Sequence, residues 1–303
     1  LGDIEIHAVN GPCDGSVGVE VGPESPDLQQ ARQNRVLALE FSGQHDQAFA
    51  EAATLLDEGV HSPFLVSLLI RNASAPDDLL LHQSSIDQFA SSDEDVNLAL
   101  VNRYLKWEDL AAAKCAADKA RNVAPDSAHA QVACGMADHN LGTQGLGQGC
   151  RQRCDDAIRS YTLALKFAGR DGYVGLIPEI HTNRGRVRAF LGRQTEAAED
   201  FRSAVSYSER PSLYAEAAIS FFLHDQDFGS AWEMLPLLDT TSDEAAYLSA
   251  VTEYYHTPND EKKRHIEDFL KLASRSFDRA TDIRFHCVQW SIELGAFVLA
   301  YEG

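Results

Sequence analysis

One stretch, Pro178 to Ala204, limits what this chain can become. Ile180, Val187, Phe190 and Leu191 give its first half the apolar face of a helix. Leu191-Gly192 interrupts that face. Ala197, Ala198, Phe201, Ala204 and Val205 then restart the same period, which predicts a second helix directly after a turn. Gly185 falls on the contact side, where only a hydrogen fits between closely packed helices, and the small Ala197 and Ala204 admit the same approach from the other side. The predicted unit is a helix-turn-helix hairpin. A lone hairpin cannot bury its own apolar face, so the chain has to stack it on others.

The others are present. Asn34-Arg35-Val36, Phe41-Ser42-Gly43, Ala48 and Ala52 echo Asn183-Arg184-Gly185, Leu191-Gly192, Ala197 and Phe201, with Ala52 in place of the aromatic ring. Glu94 to Pro125 carries Tyr104, Leu105 and Trp107, then Ala113, Ala117 and Ala120, but no glycine at its turn. Ala128 to Gly169 carries Gly135, Leu141-Gly142, Ala157, Tyr161 and Ala164, provided that residues 143–152 are an insertion. Ser212 to Leu238 adds Ala218, Phe222, Phe228, Ala231 and Leu235. Ser62-Pro63 opens another helix, for which Asp77 to Ala90 supplies the partner, Thr257-Pro258 reads as a further helix start, and Thr241 with Glu244 as a capping box. The pattern closely resembles a tetratricopeptide repeat: that family's small eighth residue, turn glycine and Ala, aromatic, Ala series fall on Gly185, Gly192, Ala197, Phe201 and Ala204. The resemblance implies an all-α fold, a right-handed α-solenoid of about seven hairpins over residues 25–303.

Residues 1–24 break the helical pattern. Ile4, Ile6 and Ala8 alternate with polar residues, as do Val17, Val19 and Val21, around the turn-rich Asn10 to Gly15. A short β-hairpin is predicted there, and because a lone hairpin is marginal in water it must dock on the helices, pair with another chain or, the reading favoured, be the tail of an upstream domain. The chain opens on Leu1, consistent with a processed product or an excerpt. At the other end, Trp290, Ile292, Leu294, Phe297, Val298, Leu299 and Tyr301 cover most of a helix, which is then either sandwiched within the chain or docked on another domain or subunit.

Charge narrows the function classes. With 46 acidic against 26 basic residues the net charge is -20, which argues against a nucleic-acid partner, since phosphate affinity comes from Lys and Arg. The apolar run Ile292 to Tyr301 is interrupted by Glu293 and is too short to span a bilayer, so no membrane partner is expected. Six cysteines in 303 residues do not make a disulfide scaffold, and the start carries no secretion signal, which points to the cytoplasm.

Against this background Arg151 to Arg193 is a basic island, with nine Lys or Arg and only four acids. By the resemblance, the first helix of each hairpin lines a concave groove for partner peptides. Carried over position by position, that places Glu179, Thr182, Arg186 and Phe190 in the groove, with Met136, His139 and Asn140 before them and Ser220 and His224 after. Asn102 and Lys106 extend the strip, and Arg184 and Arg188 join the candidate partner-binding set as part of the island. The expected partner is a protein or peptide with an acidic or carboxylate-bearing segment. Some relatives clamp a terminal carboxylate with Asn, Lys and Arg, but Ala133 stands where that clamp wants Asn. The competing reading has these arginines pairing with Glu196, Glu199 and Asp200 on the surface.

Other chemistry is weaker. Cys134, His139, Cys150 and Cys154 offer zinc-ligand types, yet the Cys150/Cys154 spacing is not a tight knuckle, and no cofactor is expected. The glycines of 142–149 lack the Lys-Ser or Lys-Thr of a phosphate loop and read as a mobile loop. His286 and Cys287 are neighbours on a predicted helix, so their side chains diverge by about 100° and make no nucleophile–base pair. The sequence thus reads as a non-enzymatic interaction scaffold. The alternative is the sensing arm of a larger protein whose protease, nuclease or NTPase domain lies outside this segment.

Overall fold

A computed structural model of the chain describes residues 26–144, 148–239 and 243–256. The strands expected in 1–24, the capping box at Thr241, the helix start at Thr257-Pro258 and the apolar helix at the C-terminal end lie outside the described residues. Within them every regular element is a helix. In chain order these are α1 (Pro26–Phe41), α2 (His45–Asp57), α3 (Pro63–Asn72), α4 (Gln83–Ala90), α5 (Glu94–Lys106), α6 (Leu110–Val123), α7 (Ala128–Gln144), α8 (Gln148–Asp171), α9 (Ile177–Phe190), α10 (Gln194–Tyr207), α11 (Ser212–His224), α12 (Phe228–Met234) and α13 (Asp243–His256).

The helices pair as hairpins, and each first helix also packs on the second helix of the hairpin before it. Small side chains make the close approach possible. The Tyr161 ring lies over Gly135, so that a Cβ there would stand 2.6 Å from its Cε1, and at Gly185 it would meet Asp200 and Phe201 at 3.2–3.4 Å. Ala197, Ala204, Ala157 and Ala164 are wholly buried beside these contacts. The aromatic rings seal the hairpins from within, and each such side chain contributes about 1.5–3 kcal/mol by leaving water. Consecutive first helices also touch one another, α1 on α3, α3 on α5, α5 on α7, α7 on α9, α9 on α11 and α11 on α13, while second helices pack less closely together. The first helices therefore form one continuous layer.

Four hairpin turns share one geometry. After α1, α5, α9 and α11 the chain runs one residue on, enters the left-handed region, and restarts as a helix one residue later. Gly43 and Gly192 adopt that conformation, and so do Glu108 (φ 61°) and Gln226 (φ 60°). The hydrogen bonds repeat as well: Glu108 N–H donates to Leu105 and Asp109 N–H to Tyr104, as Gly192 does to Ala189 and Arg193 to Arg188. This is the usual way a helix closes its last carbonyls. The missing turn glycine of the third hairpin is thus replaced in kind by Glu108, with Asp109 capping α6 through the Ala112 N–H.

Two expectations need correcting. The stretch Asp77 to Ala90 is not one helix: Pro76–His82 is a 3-10 turn, held by Ser74 and Ala75 N–H groups donating to Asp78, and only then does α4 begin. Most of the expected loop insertion at 143–152 is helical, because α7 runs on to Gln144 and α8 starts at Gln148. The extension is tied down. Cys154 is buried against Gly142, where a Cβ would come within 2.5 Å of its sulfur, and Arg153 reaches back 2.9 Å to Asp138.

Candidate functional site

The shared turn fixes the register of each first helix. Counting back from the left-handed residue, Val36, Val101, Gly185 and Ile219 are equivalent, and all are buried. The next outward positions are then Asn102 and Lys106 on α5, Arg186 and Phe190 on α9, and Ser220 and His224 on α11, every one of them exposed. On α7, where Gly135 marks the register, Met136 and Asn140 take the same places and are half-buried with His139 beside them. The sequence-derived strip is therefore one run of side chains along the layer of first helices. The same count adds Leu37 and Phe41 of α1, and Phe41 is 84% exposed. Phe41 was legible: it stands two residues before its turn glycine, as Phe190 does before Gly192.

Three residues of the candidate partner-binding set, one expected in the groove and two from the basic island, do not lie on the strip. Thr182 is buried and spends its hydroxyl on the Pro178 carbonyl. Arg184 and Arg188 turn inward to Asp200 of α10, which is 1% exposed. Asp200 accepts from Arg184 Nη2 at 2.7 Å, from Arg188 Nη1 at 2.7 Å and from His181 Nδ1 at 2.9 Å. Burial alone would raise the Asp200 pKa, but the His181 and Arg184 hydrogen bonds and the two guanidinium charges outweigh it and hold the carboxyl below its ordinary value. The signal was present, since His181, Arg184 and Arg188 share one helical face and Asp200 lies beside the buried Phe201. A second buried acid, Asp138, takes Lys114 at 3.1 Å and Arg153 at 2.9 Å.

The basic island is accordingly neutralised for the most part. Arg153, Arg159, Arg170, Arg184, Arg188 and Arg193 pair with Asp138, Asp156, Asp171, Asp200 and Asp155. Arg151, Lys166 and Arg186 make no ion pair among the described residues, and only Arg186 of these is on the strip. Lys106 is likewise unpaired there. Arg186 sits close enough to His139 that, after burial itself, its charge is what lowers the imidazole pKa.

The proposed metal ligands are not brought together. Cys134 donates to the Ala117 carbonyl in the core of α5–α7, and burial pushes its thiol up to about 11. Cys154 is buried with the α8 and α9 side chains instead. Among the described residues no group of three or more His, Cys, Asp or Glu is placed to hold a metal. No described helix is long and apolar enough to cross a membrane.

The architecture has counterparts among solved structures. PilF of Pseudomonas aeruginosa superposes with a TM-score of 0.52 at 14% identity, over 84% of this chain and 96% of that one. A chain of the APC/C Cut9–Hcn1 hetero-tetramer gives 0.52 at 14% identity, over 91% of this chain and 51% of that one. The fold is tetratricopeptide-like. TTC0263, described as a TPR protein of Thermus thermophilus, aligns at a TM-score of 0.49 and 14% identity over 74% of this chain and 98% of that one. No protein-family model and no curated protein matches the sequence. In this tetratricopeptide-like array the strip from Phe41 to His224 occupies the first-helix layer.

Proposed function

We propose that the protein is a non-enzymatic interaction scaffold that holds an extended or helical protein segment along the layer of first helices. The observation that carries this is the strip itself. Two equivalent outward positions on successive hairpins hold Asn102 and Lys106, Met136 and Asn140, Arg186 and Phe190, and Ser220 and His224, and no described side chain covers the exposed ones. In this reading the array has the right-handed sense of its fold, the strip is its concave side, and the protein acts in the cytoplasm. Phe190 and Met136 provide apolar contact. Arg186 and Lys106, left unpaired in a chain that is otherwise acidic, select a carboxylate on the partner.

The test uses Arg186 and Phe190, because Arg184 and Arg188 are committed to Asp200. A partner segment identified by cross-linking is titrated calorimetrically against the parent, Arg186→Glu, Phe190→Ser and Arg151→Glu. The strip variants are expected to weaken binding at least tenfold, about 1.4 kcal/mol each, and Arg151→Glu to leave it within twofold. Equal affinity for all four proteins would overturn the reading.

A further inference from the structure

A second site lies at the N-terminal ends of α9 and α11, where one hairpin hands over to the next. The linker before α9 and the linker between α10 and α11 enclose an open cleft of about 300 Å³, walled by Val174, Pro178, Tyr207, Leu213 and Tyr214, with Glu209 on its rim. That volume is at the low end for ligand sites and suits one long side chain. Val174, Tyr207 and Leu213 are each more than half exposed, a concentration of apolar surface in contact with water. The Tyr207 ring is fixed in place. One face stacks on His181, with ring centres 5.8 Å apart and planes 4° from parallel, and His181 is in turn bonded to the buried Asp200. More than half of Tyr207 nonetheless stays exposed at the cleft, which leaves ring surface for a ligand.

Charge decides what that ligand is. Glu179 and Glu209 are exposed and make no ion pair among the described residues, and Glu179 acts on Tyr214, whose phenol is pushed up by burial first and by this carboxylate second. Arg210 also stands at the cleft, its guanidinium unpaired among the described residues and its backbone N–H donated to Ser208 Oγ. Two acids against one cation leave the neighbourhood negative, and the whole chain carries -20, a field that draws basic segments. Between the two basic side chains, arginine fits better: its planar guanidinium stacks on an aromatic face and forks onto a carboxylate, where a lysine ammonium does neither.

We propose that this cleft binds an arginine side chain of a basic peptide segment, its guanidinium stacked on the face of Tyr207 turned away from His181 and paired with Glu209. The cleft shares none of its lining residues with the outward pairs of the first-helix strip, although Glu179 lies on the strip's side of α9. Pro178 and Arg186 are separated by about 12 Å along α9, so the two can be tested apart.

The probe is a fluorescein-labelled peptide with two arginines in a glycine–serine background, titrated by anisotropy against the full chain. The comparison peptides replace both arginines with citrulline, which keeps the shape and loses the charge, or with glutamate. The arginine peptide is expected to bind saturably, at least tenfold more tightly than either. Tyr207→Ala should weaken it tenfold or more and Tyr207→Phe by less than twofold. Glu209→Gln should weaken it several-fold, Arg210→Ala should tighten it, and Arg186→Gln should leave it within twofold. Circular dichroism checks that Tyr207→Ala is folded; should it not be, Glu209→Gln and Arg210→Ala, both at exposed rim positions, decide by the opposite signs of their effects. The proposal is overturned by equal binding of the citrulline peptide, by preference for the glutamate peptide, by weaker binding in Arg210→Ala, by an Arg186→Gln effect as large as that of Glu209→Gln, or by no saturable binding up to millimolar peptide.

Discussion

Asp200 is a carboxylate that water does not reach, held by three donors from one face of α9. Removing its charge leaves Arg184 with no carboxylate partner and Arg188 with only the half-exposed Glu196, 3.2 Å away. Asp200→Asn is expected to cost about 3 kcal/mol, the lower end for a buried pair losing one member, measured by urea unfolding at neutral pH. The pH dependence has a definite sign. Because the folded-state pKa is held down, the contribution of Asp200 is complete above the ordinary carboxyl range and is lost as pH falls through the folded value. The parent should therefore lose stability on acidification more steeply than Asp200→Asn, and the two curves should converge at low pH. Parallel acid curves would show that the carboxylate is not charged in the native hairpin. The residue scale is also where the sequence was hardest to read. Arg184, Arg186 and Arg188 look alike in the chain, yet a single buried acid on the next helix divides them into two that brace the hairpin and one that faces outward.

At the scale of the element, the turn matters more than the residue that makes it. Glu108 and Gln226 hold a left-handed conformation that costs a side-chain-bearing residue about 1–2 kcal/mol. Part of that is returned when glycine replaces them, because glycine loses more freedom on folding. Glu108→Gly and Gln226→Gly are each expected to stabilise the protein by about 0.5–1 kcal/mol, and Gly192→Ala to destabilise it by about 1 kcal/mol, read as shifts in the urea midpoint at unchanged slope. A helix period and a Gly-Ala-aromatic series were enough to place most helices from the sequence, because those residues are the contacts themselves. In α5 the placement of Asn102 and Lys106 lacked the turn glycine that marks the register elsewhere, since nothing local identifies Glu108 as a turn residue. The helical state of 143–144 and 148–152 was missed for a related reason: glycine-rich sequence predicts a loop, but Cys154 in the lap of Gly142 and the Arg153–Asp138 pair hold the flanking ends of α7 and α8 together.

At the scale of the molecule, hairpins lean only on their neighbours. Among the described residues most buried apolar side chains fall into three groups, one spanning α1 to α7, one shared by α7, α8 and α9, and one around α10 to α13. Stability in such an array is a sum of local terms and nearest-neighbour interfaces. Hydrogen exchange of Asp200→Asn should accordingly quicken in α9 and α10 and in the flanking α8 and α11, while amides of α3 and α5 keep their parental rates. A uniform increase across all helices would mean that the described chain unfolds as one unit instead.

The identical closures after α1, α5, α9 and α11 carry an engineering consequence. A cassette cut from one such corner to the next ends in the same backbone path at both seams. It can be duplicated or deleted while its new neighbours meet the chain direction they already expect, so that the array is lengthened or shortened in whole units and its outward pairs of side chains are reshuffled without redesigning the frame.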